Sequence, residues 1–197
     1  MENIIVEYHN VVDILIFNDK HQLALQKRAS SDKSFPSHWD FSAGGHIDQN
    51  EEVQKTAERE IFEELGLSGH VTLILHEHYK YPAWNNPSVI RDTDMYIFKM
   101  FHNGPFKINT NEVEKAVFFD LQTIQKMIDQ GDKFHPEFLL IWKKGIVTRE
   151  VQIWARNFWM VIDKICSNSV HGSQRVYAPL SDTVLSKSPH FPSKVFF

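Results

Sequence analysis

Only one cysteine, Cys166, occurs in the 197 residues. No disulfide framework can form within the chain, and a reducing cytoplasm is the expected compartment. A basic excess is missing as well. Lys and Arg number 21 against 25 Asp and Glu, for a net charge of −4 and a pI near 6.2. That balance gives no electrostatic footprint for a nucleic acid polymer or an anionic membrane, although a small anionic substrate needs only a metal and a few local cations. No apolar run approaches the roughly 20 residues that span a bilayer. The N-terminal MENIIVEYHN carries acids early in place of a basic segment and a long apolar core, so no signal peptide is expected. No internal repeat is visible. What is there is a chain 42% hydrophobic and 23% charged, long enough for one globular domain with its own core.

One stretch organises the rest: GHIDQNEEVQKTAEREIFEELGL, from Gly45 to Leu67. It reads as a turn followed by a helix. Asp48 is placed to be the N-cap, with Glu51 completing a capping box. Val53, Ala57, Ile61 and Leu65 recur at every fourth position and lie along one face, which buries. Gly66 is placed to end the helix in a left-handed conformation. Glu60, Glu63 and Glu64 fall on another face, at spacings that make Glu60 a neighbour of both others. Three clustered carboxylates repel one another, and no lysine is interleaved after Lys55. A hard divalent cation, which prefers oxygen ligands, would stabilise them. The alternative is a solvated acidic face.

The full spacing weighs between the two. Gly45, five residues, Glu51, seven residues, Arg59-Glu60-Ile61, one residue, Glu63-Glu64, one residue and Gly66-Leu67 match every fixed position of the Nudix box. The chain therefore resembles the Nudix hydrolases. The resemblance implies an α/β/α sandwich with a mixed sheet and Mg²⁺-dependent cleavage of a diphosphate linked to another group, with Mn²⁺ as a substitute cation. By the same resemblance the Gly45 carbonyl joins Glu60, Glu63 and Glu64 as a metal ligand.

Before the box, Val11 to Phe17 is a compact apolar run and reads as a buried strand, and Leu23 to Gln26 returns as a second, forming a hairpin. Arg28 and Lys33 then lie in a loop that can face the same site, where Arg28 could hold phosphate oxygens through its fork of donors and Lys33 as a point charge. The stretch from Leu25 to Ile47 is similar to the branch that contains isopentenyl-diphosphate isomerase and its hydrolase-like relatives. In that branch an Arg and a Lys at these places contact the diphosphate, a Trp like Trp39 lines the pocket, and a Gly-His pair like Gly45-His46 opens the box. The isomerases carry a catalytic Cys immediately before that pair, where this chain has Gly44. Their box also tends to be degenerate, and this one is intact. In the isomerases the His of the pair is a metal ligand; His46 either keeps that role or is a loop residue.

After the box, Val71 to Tyr81 reads as a strand with His76 and His78 on one side, either a second metal site or two exposed histidines. Pro82 to Asp92 reads as a loop that walls the substrate, with Trp84 and Arg91 as candidate contacts. Asp94 to Phe101 reads as a strand. The segment from Asn111 to Phe119 resembles the late Nudix strand that often supplies a further metal ligand or the general base, and Glu112 is a better candidate than Glu114. Helices are expected at Leu121 to Asp129, from Pro136 to a stop at Gly145, and from Thr148 to Cys166, the last with an apolar stripe that could pack on the domain or on a second subunit in a homodimer. The expected organisation is a Nudix domain over 1–147, a C-terminal helix over 148–166 and an extended or partly disordered tail over 167–197.

Diphosphate hydrolysis needs neutralised phosphate charge, a positioned water and a base. Glu60, Glu63 and Glu64 supply the ligands, Glu63 or Glu112 the base, and Arg59 sits four residues before Glu63, where it can orient the carboxylates. Glu51 is an orienting residue. Three readings follow: a hydrolase of a nucleoside diphosphate derivative or a related small diphosphate; an isopentenyl-diphosphate isomerase, which Gly44 opposes; and a diphosphate-binding module without turnover.

Overall fold

A computed structural model describes residues 5–83 and 86–153. Seven strands and three complete helices are assigned within them: β1 (Ile5–Phe17), β2 (Leu23–Arg28), β3 (Trp39–Asp40), β4 (Ala43–His46), α1 (Val53–Leu65), β5 (Thr72–Ala83), β6 (Asn86–Phe101), β7 (Val113–Phe119), α2 (Leu121–Asp129) and α3 (Pro136–Lys143). Residues 146–153 are again helical. The expected helix over Thr148 to Cys166 lies mostly outside the described residues, as do Trp84 and the tail. No described helix is long and apolar enough to cross a membrane.

β1 is the spine of a mixed sheet ordered β3-β2-β1-β6-β5, with β4 also on β1 and β7 also on β2. One edge of β1 pairs in parallel with β6 from Ile5↔Val89 to Phe17↔Phe101. Its other edge meets β2 only at Phe17↔Leu23 and then β4 from Val11↔His46 to Ile14↔Ala43. The expected hairpin of β1 and β2 therefore forms at its turn and diverges at once. The gap it opens admits β4, and with it the start of the box.

The sheet separates two cores, and period-2 alternation along β1 assigns its side chains to them. Val12, Ile14 and Ile16 pack with Ala57, Ile61 and Leu65 of α1. Leu15 and Phe17 pack on the opposite side with Ile124 of α2, Phe138 and Ile141 of α3, and Ile146 and Val147. The result is an α/β/α sandwich. Asp13 has the parity of Leu15 and Phe17, so it faces the α3 side.

The helix reading holds in part. Ala57, Ile61 and Leu65 are buried and Val53 packs at their margin. Gly66 has a φ of 65° and donates its N–H to the Ile61 and Phe62 carbonyls. The start differs. The N-cap is Glu52, without a side-chain cap, and Asp48 and Glu51 instead close a turn in which the Glu51 N–H donates to the Asp48 carbonyl at 3.0 Å. The Glu51 carboxylate accepts the Asp48 N–H at 3.4 Å while Arg59 grips it, as described below, but the turn they close precedes the helix and does not cap it. α2 begins behind Asp120, whose side chain accepts from the Thr123 N–H at 2.7 Å.

The expected loop over Pro82 to Asp92 is a correction. β5 and β6 pair along one long hairpin, from Thr72↔Lys99 to Pro82↔Ile90, and the chain returns as strand from Asn86. Pro82 is tolerated because β5 is the outer strand, where a missing N–H can face away from the ladder. The consequence is that Tyr81 and Arg91 become a cross-strand pair on a rigid ribbon.

Candidate active site

A cavity of about 460 Å³ opens where β4, α1, the β5–β6 ribbon and the start of α3 meet. Its α1 side holds the box. Glu60 and Glu64 are 8% and 7% exposed, whereas Glu63 is open to solvent. All three line the cavity together with Gly45 and Glu112.

Each carboxylate is held differently. Glu64 accepts the Gly44 N–H at 2.9 Å and both of its oxygens face Gln26 Nε2, at 3.3 and 3.2 Å. Burial nevertheless pushes its pKa up to about 8, because those neutral donors offset only part of the lost hydration and the charges of Glu60 and Asp40 add to the rise. Glu60 is raised too, chiefly by burial, with Arg59 acting against the rise. Gly45 lies flat on it: a Cβ built there would stand 2.2 Å from Glu60 Oε1, so only glycine lets β4 approach the carboxylate this closely.

Arg59 joins the cluster. Its Nη1 donates to Glu60 Oε1 at 2.7 Å and Glu63 Oε2 at 3.1 Å, its Nε and Nη2 grip the two Glu51 oxygens at 3.0 and 2.8 Å, and Nη2 also reaches the His46 carbonyl at 3.2 Å. The guanidinium holds the Glu51 carboxyl well below the usual carboxylate range. Arg59 thus positions the acids, as its spacing implied, and Glu51 is its anchor. Among the described residues no three His, Cys, Asp or Glu groups are drawn together as a ready-made metal centre. With Arg59 occupying Glu60 and Glu63, the carboxylates are kept apart. The donor set still suits a hard divalent ion: carboxylate oxygens from consecutive turns of α1, beside a backbone that glycine keeps bare.

The two acids at the start of β7 separate. Glu112 lines the cavity, and its charge is felt at Glu60. Glu114 instead pairs with Lys27 at 3.0 Å. His46 lines the cavity with its ring 3.1 Å from His9 Nδ1, and burial and His9 together lower its pKa.

The substrate candidates fare unevenly. Arg28 reaches the cavity, at a point where the register of β2 against β7 slips. Its donors are engaged: Nη2 with Asp32 at 2.6 Å, Nη1 with Asp40 at 3.0 Å and Nε with the Ser34 carbonyl at 3.1 Å. Lys33 is exposed and is not among the lining residues. Trp39 does not line the cavity either. It is buried in β3, edge-on to Phe119 at 5.2 Å, with Lys115 above its ring. The β3 pairing turns its side chain into the core behind the site. His76 and His78 both approach Asp94, at 3.3 and 3.2 Å, away from the cavity.

The far wall holds residues that the sequence reading passed over. Asp13 from β1, Asp40 from β3, Tyr81 from β5 and His135 and Glu137 from the start of α3 all line the cavity, as does Arg91. Burial, followed by the charges of Glu137 and Asp40, raises Asp13 well above the ordinary range. The signal for Asp13 was present: a carboxylate inside the apolar run VVDILIF must either be paired or face a cavity. For Glu137, three residues past Phe134, nothing local distinguishes a site residue from an ordinary acid in a first helical turn.

Comparison with known proteins bears on the same residues. The family model of the NUDIX domain matches residues 7–140. An uncharacterized Nudix hydrolase of Listeria innocua is 45% identical over 135 residues, 68% of this chain and 76% of that protein. Isopentenyl-diphosphate Delta-isomerase 1 of Photorhabdus laumondii is 24% identical over 158 residues, 80% of this chain and 84% of that one. Among such relatives the matched segments span from 36% to 76% of the length of the Nudix hydrolases of Listeria. In structure, the NUDIX domain of Shewanella oneidensis NrtR complexed with ADP ribose superposes with a TM-score of 0.57 at 15% identity, over 73% of this chain and 88% of that one.

Proposed function

The chain belongs to the Nudix hydrolase family, and from that premise we propose that it cleaves the diphosphate linkage of a nucleoside diphosphate derivative or a related small diphosphate, with Mg²⁺ or Mn²⁺ as cofactor. One observation carries this reading: Glu60, Glu63 and Glu64 open from one face of α1 into the same cavity as Gly45 and Glu112. Glu60, Glu63 and Glu64, with the Gly45 carbonyl, would hold a divalent ion, which would supply charge neutralisation for the phosphates and make an attacking water more acidic. The chain's own groups do the rest. Gln26 and the Gly44 N–H fix Glu64. Arg59 fixes Glu60 and Glu63. Solvent-open Glu63 and Glu112 are the two groups placed to take the proton of an attacking water. Arg28, backed by Asp32 and Asp40, presents a held cation toward the phosphates.

Isomerisation is the second reading, favoured by the Photorhabdus relative, and local geometry opposes it. A Cβ at Gly44 would stand 2.7 Å from Asp13 Oδ1 and 2.8 Å from the Val12 carbonyl. The position where the isomerases carry their cysteine therefore lacks both the thiol and the room for one.

The test is cleavage of nucleotide sugars, dinucleotides, nucleoside di- and triphosphates, cofactor diphosphates and isopentenyl diphosphate, read as phosphomonoester products from the linked compounds and as free phosphate or pyrophosphate from those with a terminal phosphate, with Mg²⁺ or Mn²⁺, for wild type and Glu64→Gln. Metal-dependent hydrolysis that falls by about 10²–10³ in the variant supports the proposal. Interconversion of isopentenyl diphosphate without phosphate release favours the isomerase, and tight binding of a diphosphate with no turnover favours a binding module.

A further inference from the structure

The cavity continues past the box to a wall built from the β5–β6 ribbon and the first turn of α3. Tyr81 and Arg91 are directly opposed on the ribbon. The Tyr81 hydroxyl donates to Glu137, which ties the ribbon to the helix. A side recess shares Tyr81, Arg91, His135 and Glu137 with the main cavity and adds the apolar surfaces of Phe35 and Pro82. We propose that Tyr81, Arg91 and Glu137 form the subsite for the group beyond the diphosphate, and that this group is a sugar with several free hydroxyls.

Several buried hydrogen-bonding atoms around the cavity have no partner, His9 Nε2, Gln26 Oε1 and His135 Nδ1 among them, and two more bear on this wall. Asp13 is 8% exposed and lines the cavity, and its Oδ2 is buried without a hydrogen bond. Arg91 Nε is likewise buried and unpaired. Buried polar atoms in folded proteins are nearly always satisfied, so an orphaned acceptor and an orphaned donor beside one cavity point to a ligand that supplies both roles. A hydroxyl does so: it donates to Asp13 or Glu137 and accepts from Arg91. The alternatives fit less well. A prenyl chain has no polar atom and would leave both orphans dry. A further phosphate would suit Arg91 but would stand among the carboxylates of Asp13, Asp40 and Glu137.

This inference rests on the hydrolase reading for the α1 side of the cavity, and the experiment keeps the two apart. The kcat/KM of the full chain is measured for ADP-ribose, UDP-glucose and isopentenyl diphosphate, in wild type and in Glu137→Gln, Arg91→Met and Tyr81→Phe. Wild type should prefer at least one sugar compound over isopentenyl diphosphate by 100-fold or more, on the order expected when a site's hydrogen-bonding groups would otherwise stay unpaired. Glu137→Gln and Arg91→Met should each shrink that ratio by about 10- to 100-fold, mainly through KM. Tyr81→Phe, which removes a single oxygen and is the least disruptive to folding, should shrink it about threefold to tenfold. A wild type that does not discriminate, or variants that lower all three substrates equally, overturns the subsite. Absence of turnover with all three compounds is instead a failure of the hydrolase reading. In that case calorimetric titration of ADP-ribose into the metal-free protein decides: binding weakened tenfold or more by Glu137→Gln supports the subsite, and equal or absent binding overturns it.

Discussion

The two walls of the cavity are built by opposite strategies. The α1 wall comes from one contiguous stretch, in which helical spacing alone puts Glu60, Glu63 and Glu64 on one face and Arg59 beside them. The far wall is assembled from β1, β3, β5, β6 and α3, residues separated by up to 124 positions between Asp13 and Glu137. The first wall is stiffened by short-range contacts such as Arg59 to Glu63. The second depends on the whole sandwich closing, since Asp13, Tyr81, Arg91 and Glu137 meet only after the sheet has formed and α3 has docked. On the proposed reading, the chemistry of the diphosphate sits where local geometry guarantees it, and the choice of the attached group sits where changes in the ribbon or α3 would alter it without disturbing the carboxylates.

Several substitutions sharpen that contrast. The largest effect is expected from Glu60→Gln, which removes an oxygen donor from the α1 wall: metal-dependent turnover should fall by about 10²–10³ for every substrate alike. A loss confined to one substrate class would break the division between the walls. Gly45→Ala comes next. Its methyl would meet Glu60 Oε1 at 2.2 Å and must displace that carboxylate, so activity should drop about 10- to 100-fold, as misplacement of a catalytic group does, and the midpoint for Mn²⁺ activation should rise. Activity indistinguishable from wild type would mean that Glu60 does not need its observed position.

A pH effect of moderate size should report the burial of Glu64 through stability. Glu64 is raised to about 8 by burial, against roughly 4.3 in an unfolded chain. The folded state therefore binds the extra proton, and the group's stabilising contribution is complete below the unfolded value and lost as pH climbs through about 8. In metal-free protein, Tm should decline between pH 5 and pH 8.5 more steeply for wild type than for Glu64→Gln; equal slopes would refute the assignment. The smallest effect is expected from Lys33→Ala. Lys33 is exposed and off the cavity, so KM should change by less than about twofold, within the range of screened surface charges.

How much of this was legible in the chain follows the same divide. Between residues 57 and 66 the buried apolar face, the acidic face and the glycine stop were legible, because one helix converts sequence spacing directly into geometry. The reach of Arg59 to Glu63 was legible for the same reason, whereas the preference for Glu112 over Glu114 rested on resemblance to the late Nudix strand. Trp39 was not. Whether a strand residue faces a pocket or the core depends on pairing parity, and β3 is only two residues long. The ribbon was hidden by Pro82, Asn86 and Pro87, which are turn-forming residues unless an outer strand tolerates them. Asp13 carried the clearest unused signal, a charge within an apolar run, yet its partners lie in segments that no local pattern links to it.

The grip of Arg59 on Glu51, Glu60 and Glu63 has one more consequence. The acid cluster carries its own internal counterion, so the fold does not depend on an incoming cation to hold those side chains together. Loading an ion at Glu60 and Glu63 would loosen a bond that already exists, while Glu51 would keep the arginine anchored. A chelator should then silence the protein without unfolding it.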